Sequence, residues 1–134
     1  MYLCDRFQKT ILIAFHRPED RESILKVLSP MEYRIILAED IISLFDFLQQ
    51  HRIDLLIAES DFPGVSMSDL LSFLRTRYGE IKVIIAMKEY SVDGELILRQ
   101  HKLLYLMRWP LNGELLNSIV VRGLGIERGV PVPA

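Results

Sequence analysis

Five short apolar runs constrain this chain more than any other feature. They are Thr10–Phe15 (TILIAF), Tyr33–Ala38 (YRIILA), Asp54–Ala58 (DLLIA), Lys82–Met87 (KVIIAM) and Leu103–Met107 (LLYLM). The first, third and fourth are apolar almost without interruption, where a half-exposed strand would alternate. Strands read this way when both faces of a parallel sheet are covered by helices. The intervening segments carry helical spacing. Ile41, Leu44, Phe45 and Leu48 fall at i, i+3, i+4 and i+7, and Met67, Leu70, Leu71 and Leu74 repeat the pattern. Ile24, Leu25 and Leu28 mark a helix after the first run, and Leu115, Leu116 and Ile119 mark one near the C-terminus. Val92–Gln100 is the least periodic of the five.

Boundary residues agree with that alternation. Pro18 suits the first turn of a helix, where a missing N–H costs nothing. Asp40, Ser66 and Ser91 stand where N-caps belong, and Pro63-Gly64 marks a tight loop after the third run. The expected architecture is α/β: a (βα)5 doubly wound parallel sheet of flavodoxin-like type with strand order 2-1-3-4-5. In that order a crevice opens at the C-terminal tips of strands 1 and 3, just past Ala14 and Ala58. Residues 1–122 are expected to form the domain, and 123–134, with three glycines and two prolines, a flexible tail or linker stub.

Composition narrows the function classes. The net charge of −2 argues against nucleic-acid binding by this domain, which calls for a basic excess. No apolar run approaches the roughly 20 residues of a membrane span. The first ten residues lack the long apolar stretch of a secretory leader, so the cytoplasm is the expected compartment. Cys4 is the only cysteine, which rules out an internal disulfide; with no nearby base it is not expected to be a nucleophile.

Three stretches resemble response-regulator receiver domains of the CheY-like family. ILIAFHRPEDRE resembles their first strand and turn, IDLLIAESDFPG their third strand and Pro-Gly loop, and YLMRWPLNGELL their fifth strand, Lys-Pro pair and last helix. The resemblance in element order covers about residues 9–122. It implies a site with an acidic pair after strand 1 and an acceptor Asp after strand 3, together holding Mg²⁺ through oxygen ligands. It further implies a Ser or Thr after strand 4 and a Lys after strand 5, which position and neutralise the phosphoryl group.

The residues at those positions are different. The acid pair maps onto Phe15 and His16, the acceptor onto Glu59, and the hydroxyl position onto Ala86. The lysine maps onto Trp109 when Pro110 is the anchor, and onto Arg108 when Tyr105 is; a slip of one residue turns a side chain to the other face. Glu59 has two readings. It imitates a phosphorylated Asp, or it forms a static pair with Arg108 or His16 or faces water; the second is favoured because a carboxylate carries one charge and lacks the extra phosphoryl oxygens. Trp109 either plugs the empty phosphate pocket or packs on the last helix. Glu19 and Asp20 either replace the missing acids or are charges that favour the positive end of helix 1; the second is favoured. His51 and His101 end helices, where a cationic side chain suits the negative terminus.

The expectation is therefore a degenerate, non-catalytic receiver-like module of a bacterial two-component or related regulatory system. It needs no metal and no cofactor, and it acts on a protein partner (a regulatory effector or kinase) or as a homodimer, without Asp phosphorylation. Its interface maps onto helix 4, strand 5 and helix 5, with Tyr90, Leu96, Tyr105 and Leu115 as candidate contacts, Lys88 and Glu89 close by, and Leu103 and Leu104 adding apolar surface. The alternatives are an atypical phosphoacceptor, or a small-molecule or pH sensor that uses the crevice with His16 as the titrating group.

Overall fold

The computed structural model describes residues 8–28 and 33–125. Strands and helices alternate strictly: β1 (Thr10–Ala14), α1 (Pro18–Leu28), β2 (Arg34–Ala38), α2 (Ile41–Gln50), β3 (Leu55–Glu59), α3 (Met67–Arg77), β4 (Lys82–Met87), α4 (Val92–Arg99), β5 (Tyr105–Arg108) and α5 (Gly113–Leu124). The five strands form one sheet in the order β2-β1-β3-β4-β5, and every pairing is parallel.

The sheet divides the core into two layers because successive side chains on a strand face opposite ways. Leu12, Ala14, Leu56, Ala58, Val83, Ile85 and Met87 pack on α2, α3 and α4. Ile11, Ile13, Phe15, Ile57, Ile84, Ala86 and Met107 pack on α1 and α5. β1 and β3 are buried along their whole length, which is why their sequences never alternate.

The helix starts follow the capping residues. Asp40 accepts from the Ser43 backbone N–H while Ser43 Oγ accepts from Asp40 N, a reciprocal box that satisfies two otherwise orphaned donors. The Ser43 N–H bond holds the Asp40 carboxyl below its ordinary value. Ser66, Ser91 and Asn112 cap α3, α4 and α5 with the one-way bond alone, each side-chain oxygen accepting from the backbone N–H three residues on. In the loop after β3, Gly64 adopts φ +94°, and a Cβ there would lie 2.9 Å from Ile41 Cγ2, so the turn requires glycine twice over.

Two boundaries differ from the sequence reading by two residues, and several others by one. The last strand begins at Tyr105, two residues later than its apolar run, and Leu103 and Leu104 are half-buried lead-in residues packed against the core. Leu104 lies so close to Gly123 that a Cβ on α5 at that point would collide with it. Packing against the core accounts for part of their apolar character. At the other end, α5 continues through Leu124 and closes on Gly125 in the left-handed region (φ +69°). That is two residues past the point where the tail was placed; residues 126–134 of that tail, and Cys4, lie outside the described residues.

Candidate functional site

The crevice lies where the strand order reverses, at the tips of β1 and β3. Phe15 and His16 follow β1 directly, Glu59 ends β3, and Ala86 is the register partner of Glu59 on β4. Glu59 is the deepest charge among the described residues, with its side chain 1% exposed. One of its oxygens, Oε2, receives both the backbone N–H of His16 and the His16 ring nitrogen Nδ1, each at 2.7 Å. With Glu59 ionised, Nδ1 is the ring nitrogen that carries the hydrogen. The pair is thus with His16; Arg108, the other partner considered, lies elsewhere. The His16 side chain is 43% exposed, so the pair forms the floor and lip of the crevice at once.

Phe15 is fully buried, and its ring lies 5.6 Å from that of Trp109 with a 40° tilt. Trp109 shares the α1/α5 face of the sheet with Phe15, whereas Arg108 is turned to the other face. The Arg108 guanidinium stacks on Tyr90, 3.6 Å from the ring centre. Of the two residues that the sequence left open for the lysine position, it is Trp109 that enters the crevice. Ala86 contributes a buried methyl group and no polar atom.

A second ion pair completes the crevice, and the sequence reading missed it. Lys88 Nζ bonds Asp20 Oδ2 and also lies 5.6 Å from the Trp109 ring centre, a favourable place for a cation. Asp20 is buried on the first turn of α1 and is no simple solvated helix-end charge; Glu19 is one, exposed beside Arg17 at 3.5 Å. Lys88, expected near the helix 4 surface, points instead into the crevice. Both signals were in the sequence: Asp20 is in step with buried Ile24 and Leu28, and Lys88 alternates with Ile84 and Ala86. Arg21 closes the rim, donating from Nη1 to the Phe15 carbonyl at 2.7 Å.

On the α4 side, a chain of exposed polar contacts runs from β5 to α4. Arg108 covers Tyr90, the Tyr90 hydroxyl donates to Glu95, and Glu95 accepts from Arg99 Nε at 2.6 Å. The Glu95 hydrogen bond raises the Tyr90 hydroxyl above its ordinary value, and the Tyr90 and Arg99 bonds lower Glu95 below its own. Val92, Leu96 and Ile97 are exposed on α4, Tyr105 on β5 and Leu115 on α5. His101, after α4, bonds Ser68 Oγ at 2.9 Å and so ties that end of α4 to α3.

This five-stranded topology is the receiver fold. The chain is similar to the signal receiver domain of an HD domain-containing protein from Pseudomonas fluorescens Pf-5, with TM-score 0.82 and 17% identity over 88% of this chain and 95% of that one. It is also similar to the signal receiver domain of a putative Luxo repressor protein from Vibrio parahaemolyticus, with TM-score 0.81 and 21% identity over 88% and 91%. A third structure, a CheY-like response regulator receiver domain protein from Methanospirillum hungatei JF-1, gives TM-score 0.80 and 16% identity over 88% and 94%. No family model and no curated protein matches the chain.

Receiver folds imply a magnesium ion at these strand tips, and the donors here do not fit one. Mg²⁺ takes oxygen ligands in near-octahedral array. Phe15 and Ala86 supply no oxygen side chain, Glu59 Oε2 is engaged by His16, and Asp20 is engaged by Lys88. Among the described residues no three His, Cys, Asp or Glu side chains gather as a metal site. Among them, too, no helix is long and apolar enough to cross a membrane.

Proposed function

We propose that this chain is a non-catalytic, receiver-fold signalling module that works through a protein partner and does not pass phosphoryl groups. The observation that carries this reading is the crevice itself. Its carboxylates, Glu59 and Asp20, are each matched by a cationic or hydrogen-donating group of the same chain, and the space beside them is filled by the Phe15–Trp109 contact. Phosphoryl transfer depends on positioned positive charge and an accessible acceptor oxygen. Glu59 offers one half-engaged carboxylate behind an imidazole, with Ala86 where a hydroxyl would help.

The α4–β5–α5 side supports a protein-binding role. Tyr90, Leu96, Tyr105 and Leu115 expose apolar surface there, and the Arg108–Tyr90–Glu95–Arg99 chain holds Tyr90 in one position. A preorganised aromatic is a low-entropy contact for a partner. The partner is a regulatory effector or kinase of a bacterial two-component or related system, or a second copy of this chain.

The test of the phosphotransfer half is an intact-mass measurement after incubation with acetyl phosphate and Mg²⁺. The expected mass is unchanged. A gain of one phosphoryl group that disappears in Glu59→Gln would make the chain an unorthodox acceptor and end this reading. Sedimentation at high concentration distinguishes the homodimer from a module that needs a different partner.

A further inference from the structure

A second concave site lies at the opposite end of the sheet, away from the crevice. The last two turns of α3, the start of β4 and the segment leading into β5 enclose a hollow of about 560 Å³. Its apolar floor comes from Leu71, Leu74 and Val83, core residues at 5% exposure or less, and from half-buried Leu103, with Tyr78 and Ile81 beside them. A smaller hollow of about 390 Å³ adjoins it, lined by polar side chains that include Ser72, Thr76 and Gln100. Arg75, His101 and Lys102 line both, so the basic residues stand at the seam between an apolar chamber and a polar one.

The charge at that seam is uncompensated. Arg75 and Lys102 have no carboxylate within 4.0 Å among the described residues, and Glu80 is the only acid on the larger lining. An arginine fork matches a planar carboxylate or a phosphate, lysine adds a point charge, and the Ser72 and Thr76 hydroxyls can donate as well. Small-molecule sites are concave and largely apolar, of roughly 300–1,000 Å³, with a few placed polar groups. We infer that this hollow binds a soluble amphipathic anion: an apolar body over Leu71, Leu74, Val83 and Leu103, with a carboxylate or phosphate head at Arg75 and Lys102. The site shares no residue with the crevice and does not depend on the reading given there.

Arg75 also lies in the last turn of α3, where a cation offsets the negative helix end. Arg77 is in the same turn and lines neither hollow, which makes it the control. The experiment is calorimetric titration of the whole chain with decanoate, decyl phosphate, decanol and inorganic phosphate, the amphiphiles kept below micelle formation. Both decyl anions are expected to bind saturably with one site per chain. Decanol and inorganic phosphate should each bind at least about tenfold more weakly, as should the two anions to Arg75→Gln/Lys102→Gln, while Arg77→Gln changes affinity less than about twofold. Methyl spectra of the unaltered protein provide a readout that needs no variant, with decanoate shifting Leu71, Leu74, Val83 and Leu103. No saturable binding, equal binding of decanol, equal effects of Arg75→Gln and Arg77→Gln, or methyl shifts centred elsewhere would each overturn the inference. So would binding only to phosphatidylglycerol vesicles and not to the single amphiphile.

Discussion

Replacing Lys88 with methionine tests the structure of the crevice most directly. Methionine preserves most of the apolar stem and removes only the ammonium. Asp20, whose side chain is 9% exposed, then keeps its carboxylate with no cation beside it. Stranding one member of a buried pair costs about 3–5 kcal/mol. Two features reduce that figure here: the Lys88 side chain is 23% exposed, and Asp20 lies in the first turn of α1, where the helix end offsets about 0.3–1 kcal/mol. Loss of the cation over Trp109 adds back about 0.5 kcal/mol. The expected net loss is about 2–3 kcal/mol, a fall in Tm of roughly 6–12 °C for a chain of this length. Urea unfolding followed by circular dichroism measures it, and Asp20→Asn completes a double-mutant cycle. Because Asp20→Asn removes the stranded charge, the double variant should recover at least about 1 kcal/mol of the Lys88→Met loss. A Lys88→Met loss below about 0.5 kcal/mol, or strict additivity in the cycle, would refute the buried-pair account.

The neighbouring pair should respond more mildly. His16→Ala removes the ring bond to Glu59 but leaves the backbone N–H in place; with His16 43% exposed, unfolding should show a loss of about 1–2 kcal/mol, towards the low end for a bond to a charged group. On the α4 side, absorbance titration of the tyrosines should show Tyr90 ionising late, above the ordinary value of 10.0, and Tyr90→Phe should remove that late component. Linkage fixes the signs there: the Tyr90 share of stability is complete below the ordinary tyrosine value and is lost as pH rises through its raised one, whereas the Glu95 share is present above the ordinary carboxylate value of 4.5 and is lost as pH falls through its lowered one. Thermal melts of the wild type and of Tyr90→Phe across both ranges check those directions.

The sheet was legible because β1, β3 and β4 are buried on both sides, and short, continuous apolar runs rich in Ile and Val between helical segments are how covered parallel strands read. The fifth strand was displaced by two residues because Leu103 and Leu104 bury themselves ahead of it, the Leu104 N–H already bonded to the Val83 carbonyl at 2.8 Å, and apolar character reports burial, not where a strand begins. Phe15, His16 and Glu59 could be placed at the crevice from the strand ends alone. Trp109 and Arg108 could not be separated, since a single-residue slip exchanges the two faces, and the packing of Phe15 and Tyr90 decides between them. The Lys88–Asp20 pair joins residues 68 positions apart through a long flexible stem, a reach that local spacing does not encode. Reading Asp20 with Ile24 and Leu28, in place of Asp20 with Glu19, would have put it on the buried stripe.

The ammonium beside Asp20 is delivered on a tether. A dissolved ion occupies a site by mass action and departs when its free concentration falls or a chelator competes for it. A charge carried on four methylenes from the end of β4 has a local concentration fixed by geometry and no bulk reservoir to exchange with. The countercharge that Lys88 brings to Asp20 is therefore set when the chain folds, in a one-to-one ratio with the chain itself.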